Sequence, residues 1–356
     1  MTCSSRQRFM TGPLVECVPN ISEGTDLAKI ESIVNAARGI EGARVLSSEP
    51  DSDYNRTVIT IAGNPQAVSE AAFRLIASAA ENIDMRLHKG NHARLGAVDV
   101  CPFIPLAEIS MQECSELARS LSQRVADELG LTSYLYGAAA SNDARKNHSL
   151  LRKGQYEELE ARLTEGKDSI HEDVTRLPDN GPSIWTEKVA KFGATIIGAR
   201  GILVAYNVNL DEKEAIVAGA IGRIVRQSGP LIKNDSGQKM PVSGMLPKIQ
   251  GMGFPLEEHG ISQVSMNLQD ISITPMHVTY ETIKWLANTY GIETTGSELV
   301  GLAPISAFLE AGAWYDSNAI SEEELIAAAV KGMGLDDLGP FIAEQRIIER
   351  ALAGSD

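Results

Sequence analysis

The chain has 356 residues, 43% of them hydrophobic and 5% aromatic, with a formal net charge of −15. That length fits two domains or one domain with a subdomain split, and the core must be built mainly from Ala, Val, Ile and Leu. The acidic balance argues against affinity for nucleic acid or anionic membranes, and no apolar run approaches the ~20 residues that span a bilayer.

Residues 1–12 are polar and basic without an apolar stretch, so no secretory leader is expected and a cytoplasmic location is. Leu14 to Pro19 reads as a strand, and Thr25 or Asp26 can cap a helix carrying Ile30, Ile33 and Val34. Strands are expected at Ala43–Ser47 and Thr57–Ala62, separated by the acidic turn Glu49-Pro50-Asp51-Ser52-Asp53. A helix opened by Asn64-Pro65 runs to Ile83. A strand at Val98–Ile104, a helix at Met111–Leu129 and a strand at Ser133–Tyr136 follow. The polar stretch from Asn142 to Asn180 reads as short helices and connection, the best boundary candidate. The second half repeats the order: strand-rich Ile196–Val208, helix Lys213–Gln227, a polar and mobile Lys233–Ser243, strands Ile249–Phe254 and Ile261–Leu268, helix Met276–Tyr290 and strand Ile292–Val300. Helices follow from Ile305 to the end. The fold class is α+β: two tandem β-α-β-β-α-β subdomains with a cleft or tunnel between them, plus a C-terminal helical extension. The expected division is a flexible 1–13, subdomains 14–190 and 191–312, and an extension 313–356.

The most informative stretch joins the second helix to the strand at Val98. It places His88 and His92 among Arg86, Lys89 and Arg94, with Gly90 breaking any continuous helix. Imidazoles titrate near neutrality and guanidiniums hold carboxylates, so the pattern suits acid–base work on an anionic substrate. The competing reading is a basic loop with solvated charges. A metal site on the two histidines is disfavoured by the surrounding cations and by the lack of an H-E-x-x-H pattern. Arg56 opens a strand, and the acidic turn with Glu49 could orient a His or an Arg. Gly251-Met252-Gly253 after Lys248 is weak as a phosphate motif but would let a flat ligand approach the backbone. His148, His171, His259 and His277 read as surface or packing residues. The four cysteines (Cys3, Cys17, Cys101, Cys114) have no paired spacing and read as free thiols, Cys17 and Cys101 as core filler.

Several runs together resemble the glutamate formiminotransferase family: Leu14-Val15-Glu16-Cys17-Val18-Pro19-Asn20-Ile21-Ser22-Glu23-Gly24, Asn55-Arg56-Thr57-Val58, Asp84 through Pro105, Tyr206-Asn207-Val208-Asn209-Leu210 and Lys248-Ile249-Gln250-Gly251-Met252-Gly253. Gly296-Ser297-Glu298-Leu299-Val300-Gly301-Leu302 continues the match, in one order over residues 14 to 350. The resemblance implies two ferredoxin-like subdomains, a folate tunnel and a homodimer. It implies transfer of the formimino group of N-formimino-L-glutamate to N5 of tetrahydrofolate, polyglutamylated forms included, with release of L-glutamate and without a metal. The family's catalytic His falls on His92. Its folate-contacting segments fall on the stretch from Gly181, Pro182 and Ser183 to about Gly193, and on Met245–Gly253 with Lys248, Gln250, Gly251 and Gly253. Arg56, Arg86, His88, Lys89 and Arg94 are the further binding candidates, and Glu49 the orienting acid. Glu187, Lys188 and Lys191 add charge where the family pattern is shorter. No cyclodeaminase domain is expected after the transferase module. The rival readings are formyl transfer between folate and glutamate, a non-catalytic folate-binding protein, and a metal hydrolase.

Overall fold

The computed structural model describes residues 12–90, 92–164 and 177–354. The expectations for most of the N-terminal segment, for Cys3 and for His171 lie outside these. The chain divides into two compact units, the first ending at Gly201 and the second starting at Ile202.

The first unit carries strands β1 (Leu14–Cys17), β2 (Asn20–Ile21), β3 (Ala43–Asp51), β4 (Arg56–Gly63), β5 (Val98–Ala107), β6 (Thr132–Gly137) and β7 (Ala194–Ala199). Its helices are α1 (Leu27–Ala36), α2 (Pro65–Asn82), α3 (Met111–Leu129), α4 (His148–Leu151), α5 (Leu159–Thr164) and α6 (Glu187–Phe192). The caps follow sequence logic. Asp26 accepts from the Lys29 N–H at the start of α1, and Asn64 precedes Pro65 in α2. Ser110 and Glu113 form a reciprocal box on α3, which ends at left-handed Gly130.

All seven strands join one sheet. β1 and β2 act as two pieces of one line between β4 and β5, with β3 on the far side of β4 and β7 then β6 beyond β5. β5, β7 and β6 run parallel, while β1 to β5 pair antiparallel. Strand alternation sends Cys101, Phe103, Leu135 and Ile197 into a core with α1, α2 and α3. Their neighbours Val100, Tyr134, Tyr136 and Ile196 face a second core with Leu151, Leu159 and Leu163. Each such fully buried leucine is worth roughly 1.5–3 kcal/mol.

Two expectations are corrected here. The second half does not start at residue 191, because Ala194–Ala199 lies between β5 and β6 in the first sheet. The polar stretch after Asn142 is not an interdomain connection in its described part: residues 143–164 pack their leucines on the sheet.

The second unit carries β8 (Val204–Leu210), α7 (Ile216–Val225), the hairpin β9 (Leu231–Lys233) and β10 (Lys239–Pro241), β11 (Ile249–Leu256), β12 (Ile261–Leu268), α8 (Met276–Thr289) and β13 (Thr294–Val300). The hairpin lies in the polar run read as mobile; Asn234 closes its turn by accepting from the Ser236 and Gln238 N–H groups. The main sheet is antiparallel in the order β11-β12-β8-β13. Helices α9 (Ile305–Tyr315), α10 (Glu322–Met333), α11 (Ala343–Arg346) and α12 (Ile348–Ala353) complete the chain. This helical extension packs on the second unit: Phe308, Ile326, Ala329, Met333 and Ile347 share one core with Tyr206, Val208 and Val264.

Candidate active site

The loop between α2 and β5 is held from both sides. Met85 N–H donates to the Lys191 carbonyl at 2.8 Å, and Ala97 N–H donates to the Phe192 carbonyl at 2.7 Å. On the other side stands the turn between β3 and β4. There Asn55 adopts φ +49, takes the Gly24 N–H on its side-chain oxygen at 2.8 Å and donates to the Lys89 carbonyl at 2.8 Å. A Cβ on Gly90 would stand 2.6 Å from the Tyr54 carbonyl oxygen, so glycine is what lets loop and turn meet.

This apposition brings Arg56, the first residue of β4, against His92. An Arg56 guanidinium nitrogen lies 2.5 Å from His92 Nε2. Guanidinium has no acceptor, so Nε2 is the acceptor and the imidazole is neutral with its hydrogen on Nδ1. The Tyr54 ring stands edge-on to His92 at 6.2 Å. Burial, then the charges of Arg56 and Arg152, push His92 down to about 4. Asp51, whose main chain pairs with Arg56, partly opposes that. Burial, then the Arg152 charge, likewise lowers Arg56 from its ordinary value.

His88 takes the opposite tautomer. Its Nδ1 accepts from Arg94 Nε at 3.2 Å and its Nε2 faces the Asn55 carbonyl at 3.0 Å. Burial and Arg94 lower it, against the pull of the Asn55 carbonyl. With its ring nitrogens so engaged, His88 positions the loop. Among the described residues no group of three or more His, Cys, Asp or Glu is placed to hold a metal.

A second layer comes from residues 143–164. Arg152 donates to buried Asp99 from Nε at 3.2 Å and also from its terminal nitrogen, and the same carboxylate accepts from the Leu95 N–H at 2.9 Å. Burial pushes the Asp99 carboxyl up while Arg152 pulls it back. His148 stands edge-on to Tyr136 at 5.4 Å and is pushed down to about 4 by burial and by Arg152 and Arg200.

The other expected residues divide. Arg94 is buried and forked onto Glu157 at 2.8 and 2.5 Å, with Gln155 at 3.0 Å. Arg86 is half exposed and spent on Asp84 and Glu187. Lys89 is exposed. Glu49 sits opposite Val58 on β3 without a hydrogen bond to either imidazole among the described residues; Asp51 is the acid whose charge reaches His92. Gly181 to Ser183 is tied to the start of β6, where Thr132 donates to the Pro182 carbonyl at 2.8 Å. Because β5, β7 and β6 are parallel, this is the end of the sheet that also carries the His loop. On α6, Glu187, Lys188 and Lys191 all bond within the unit.

In the second unit, Lys248 adopts φ +59 and Gln250 is exposed on β11. The glycines beside them do not open a ligand face on their Cβ side. A Cβ on Gly253 would stand 2.2 Å from Gly219 N, and one on Gly251 3.3 Å from the Gly222 carbonyl oxygen. Helix α7 fills that space.

Sequence reasoning missed Arg152 and His148 as site residues. Asp99 carried a legible signal: an acid inside an apolar strand requires a buried partner.

The fold and site define a two-unit α+β protein with a neutral imidazole set among guanidiniums, a centre suited to moving protons on an anionic substrate. Residues 14–200 match the profile of the formiminotransferase domain, N-terminal subdomain, and residues 205–353 that of the formiminotransferase domain. The chain belongs to the formiminotransferase family. It is similar to glutamate formimidoyltransferase of Streptococcus pyogenes serotype M1, 38% identical over 85% of this chain and 93% of that one. It is also similar to glutamate formimidoyltransferase of Thermoplasma acidophilum, 38% identical over 85% and 92%. To formimidoyltransferase-cyclodeaminase of Gallus gallus it is 41% identical over 94% of its own length, and it spans 59% of that relative. No helix among the described residues is long and apolar enough to cross a membrane.

Proposed function

We propose that the chain is a glutamate formimidoyltransferase: it moves the formimino group from N-formimino-L-glutamate to N5 of tetrahydrofolate and releases L-glutamate. The observation that carries this reading is the 2.5 Å contact between Arg56 and His92 Nε2, in a chain of the formiminotransferase family. N5 attacks the formimino carbon and gives a tetrahedral intermediate. N5 must then lose a proton, and the glutamate nitrogen must gain one before its bond to that carbon breaks. His92 is neutral at pH 7 and can take the first proton; its imidazolium, being a good acid, can give it to the leaving nitrogen. Such a group is typically worth about 10²–10⁴ in rate.

The strand orders β3-β4-β1/β2-β5 and β11-β12-β8-β13, each with two crossover helices, support reading both units as ferredoxin-like. Folate, polyglutamylated forms included, would be the co-substrate, with Gly181–Ser183 in the first unit and Lys248 and Gln250 in the second as the candidate contacts. The protein would work as a cytoplasmic homodimer. The test is glutamate release from formiminoglutamate with tetrahydrofolate, with formylglutamate in parallel. Release that requires both substrates and is faster with the formimino donor is expected. Release no faster than without protein overturns the proposal, and preference for formylglutamate replaces it with formyl transfer.

A further inference from the structure

Three guanidiniums close to the histidines have carboxylate partners: Arg94 has Glu157, Arg152 has Asp99, and Arg86 has Asp84 and Glu187. Arg56 differs. Its hydrogen bond is to an imidazole, and among the described residues no carboxylate stands at ion-pair distance from it. Asp51 is near enough for its charge to act on Arg56, but one of its carboxylate oxygens is taken by the N–H groups of Asp53 and Tyr54, both at 3.0 Å. A partly buried guanidinium is a five-donor fork matched to a carboxylate, and an imidazole nitrogen uses one of those donors. While it does so, it occupies the lone pair with which His92 would accept a proton.

We propose that Arg56 is a carboxylate clamp that also caps the base: an anionic donor docking on its guanidinium draws it off His92 Nε2 and frees that lone pair. The inference rests on the transferase reading for its donor, a glutamate derivative with two carboxylates. It makes His92 a competent base only when the anion is in place. The clamp thus contributes to turnover as well as to affinity, and a donor without carboxylates loses both. The charged and titratable groups facing His92 are Arg56, Asp51 and Tyr54 from the β3–β4 turn and Arg152 with Asp99 behind it. On the loop itself stand His88, Lys89 and Arg94 with its partner Glu157. Arg56 is the one among them in direct contact with Nε2.

The experiment is a pH titration of ¹⁵N-histidine-labelled full-length protein by NMR, with the His92 signals assigned by their loss in His92→Gln. L-glutamate is the probe and its dimethyl ester the control. L-glutamate is expected to raise the His92 midpoint by about one unit or more, as removal of an adjacent like charge does; the ester leaves it in place. Arg56→Gln is expected to raise the midpoint without glutamate and to weaken glutamate binding at least tenfold. Arg56→Lys keeps the charge and retains more of the affinity, which separates clamp loss from misfolding. A parent that transfers the formimino group yet shows no glutamate-dependent shift overturns the clamp and leaves the transferase reading standing. An Arg56→Gln variant that binds glutamate as the parent does also overturns it. A parent that shows the shift but transfers nothing removes the transferase reading and keeps the clamp for another carboxylate.

Discussion

Asp99→Asn removes one charge from the pair that anchors Arg152, whose charge acts on the His92 imidazole. Asp99 is 1% exposed and accepts two hydrogen bonds from Arg152 and one from the Leu95 N–H. Breaking a buried ion pair by neutralising one partner costs about 3–5 kcal/mol, because the remaining charge is left uncompensated. The amide keeps an acceptor oxygen for the Leu95 N–H, which places the expected loss near the lower end. A loss of about 3 kcal/mol is roughly a hundredfold in the folding equilibrium. Guanidinium denaturation of the parent, Asp99→Asn, Arg152→Met and the double variant would measure it. Each single change should destabilise, and the double should lose less than the sum by about 1–3 kcal/mol. If Asp99→Asn lies within about 0.5 kcal/mol of the parent, as an ordinary surface change does, the pair does not anchor the site.

Gly90→Ala puts a Cβ 2.6 Å from the Tyr54 carbonyl oxygen and forces the His loop away from the β3–β4 turn. A misplacement of ~1 Å costs up to about 10² in rate, so kcat/KM should fall at least tenfold with little change in Tm; an unchanged kcat/KM would contradict the packing argument. Arg86→Ala should leave KM within about twofold, since the guanidinium is exposed and already faces Asp84 and Glu187. A tenfold rise in KM would return Arg86 to the substrate site. Stability should fall on mild acidification. His92 and His148 are held at about 4, below the unfolded imidazole value of ~6.5, so between those limits the unfolded chain alone takes up the protons. Their contribution is full above ~6.5 and is lost as pH falls through about 4. Glu23, held at about 2 because hydrogen bonds from Lys29, Asp26 and Thr25 outweigh its burial, adds a separate loss below ~4.5. A Tm that is flat or rising as pH drops from about 6.5 to 5 would refute this.

Local chemistry made most elements readable. The Ser110 and Ser321 capping boxes and the left-handed Gly130 and Gly334 mark helix ends through contacts within a few residues. The insertion of β7 between β5 and β6 was not readable, because parallel pairing joins β7 to strands far earlier in the chain and leaves no local trace. The site divides in the same way. Arg56 and His92 stood out as residues, but the sequence placed Arg94 beside them as a free cation. Glu157, sixty-three positions away, occupies it. The glycines of β11 looked like room for a ligand, whereas the helix that fills that room is α7, thirty residues earlier in the chain. The nominal imidazole value near 6.5 also failed to survive burial beside two guanidiniums.

The most direct measurement is single-turnover formimino transfer by the parent and by His92→Ala, with tetrahydrofolate binding followed in the same samples. The account predicts that the variant binds tetrahydrofolate within a few-fold of the parent and transfers at least a hundredfold more slowly, within the range for a lost acid–base group. Transfer at the parent rate by a variant without the imidazole would contradict it.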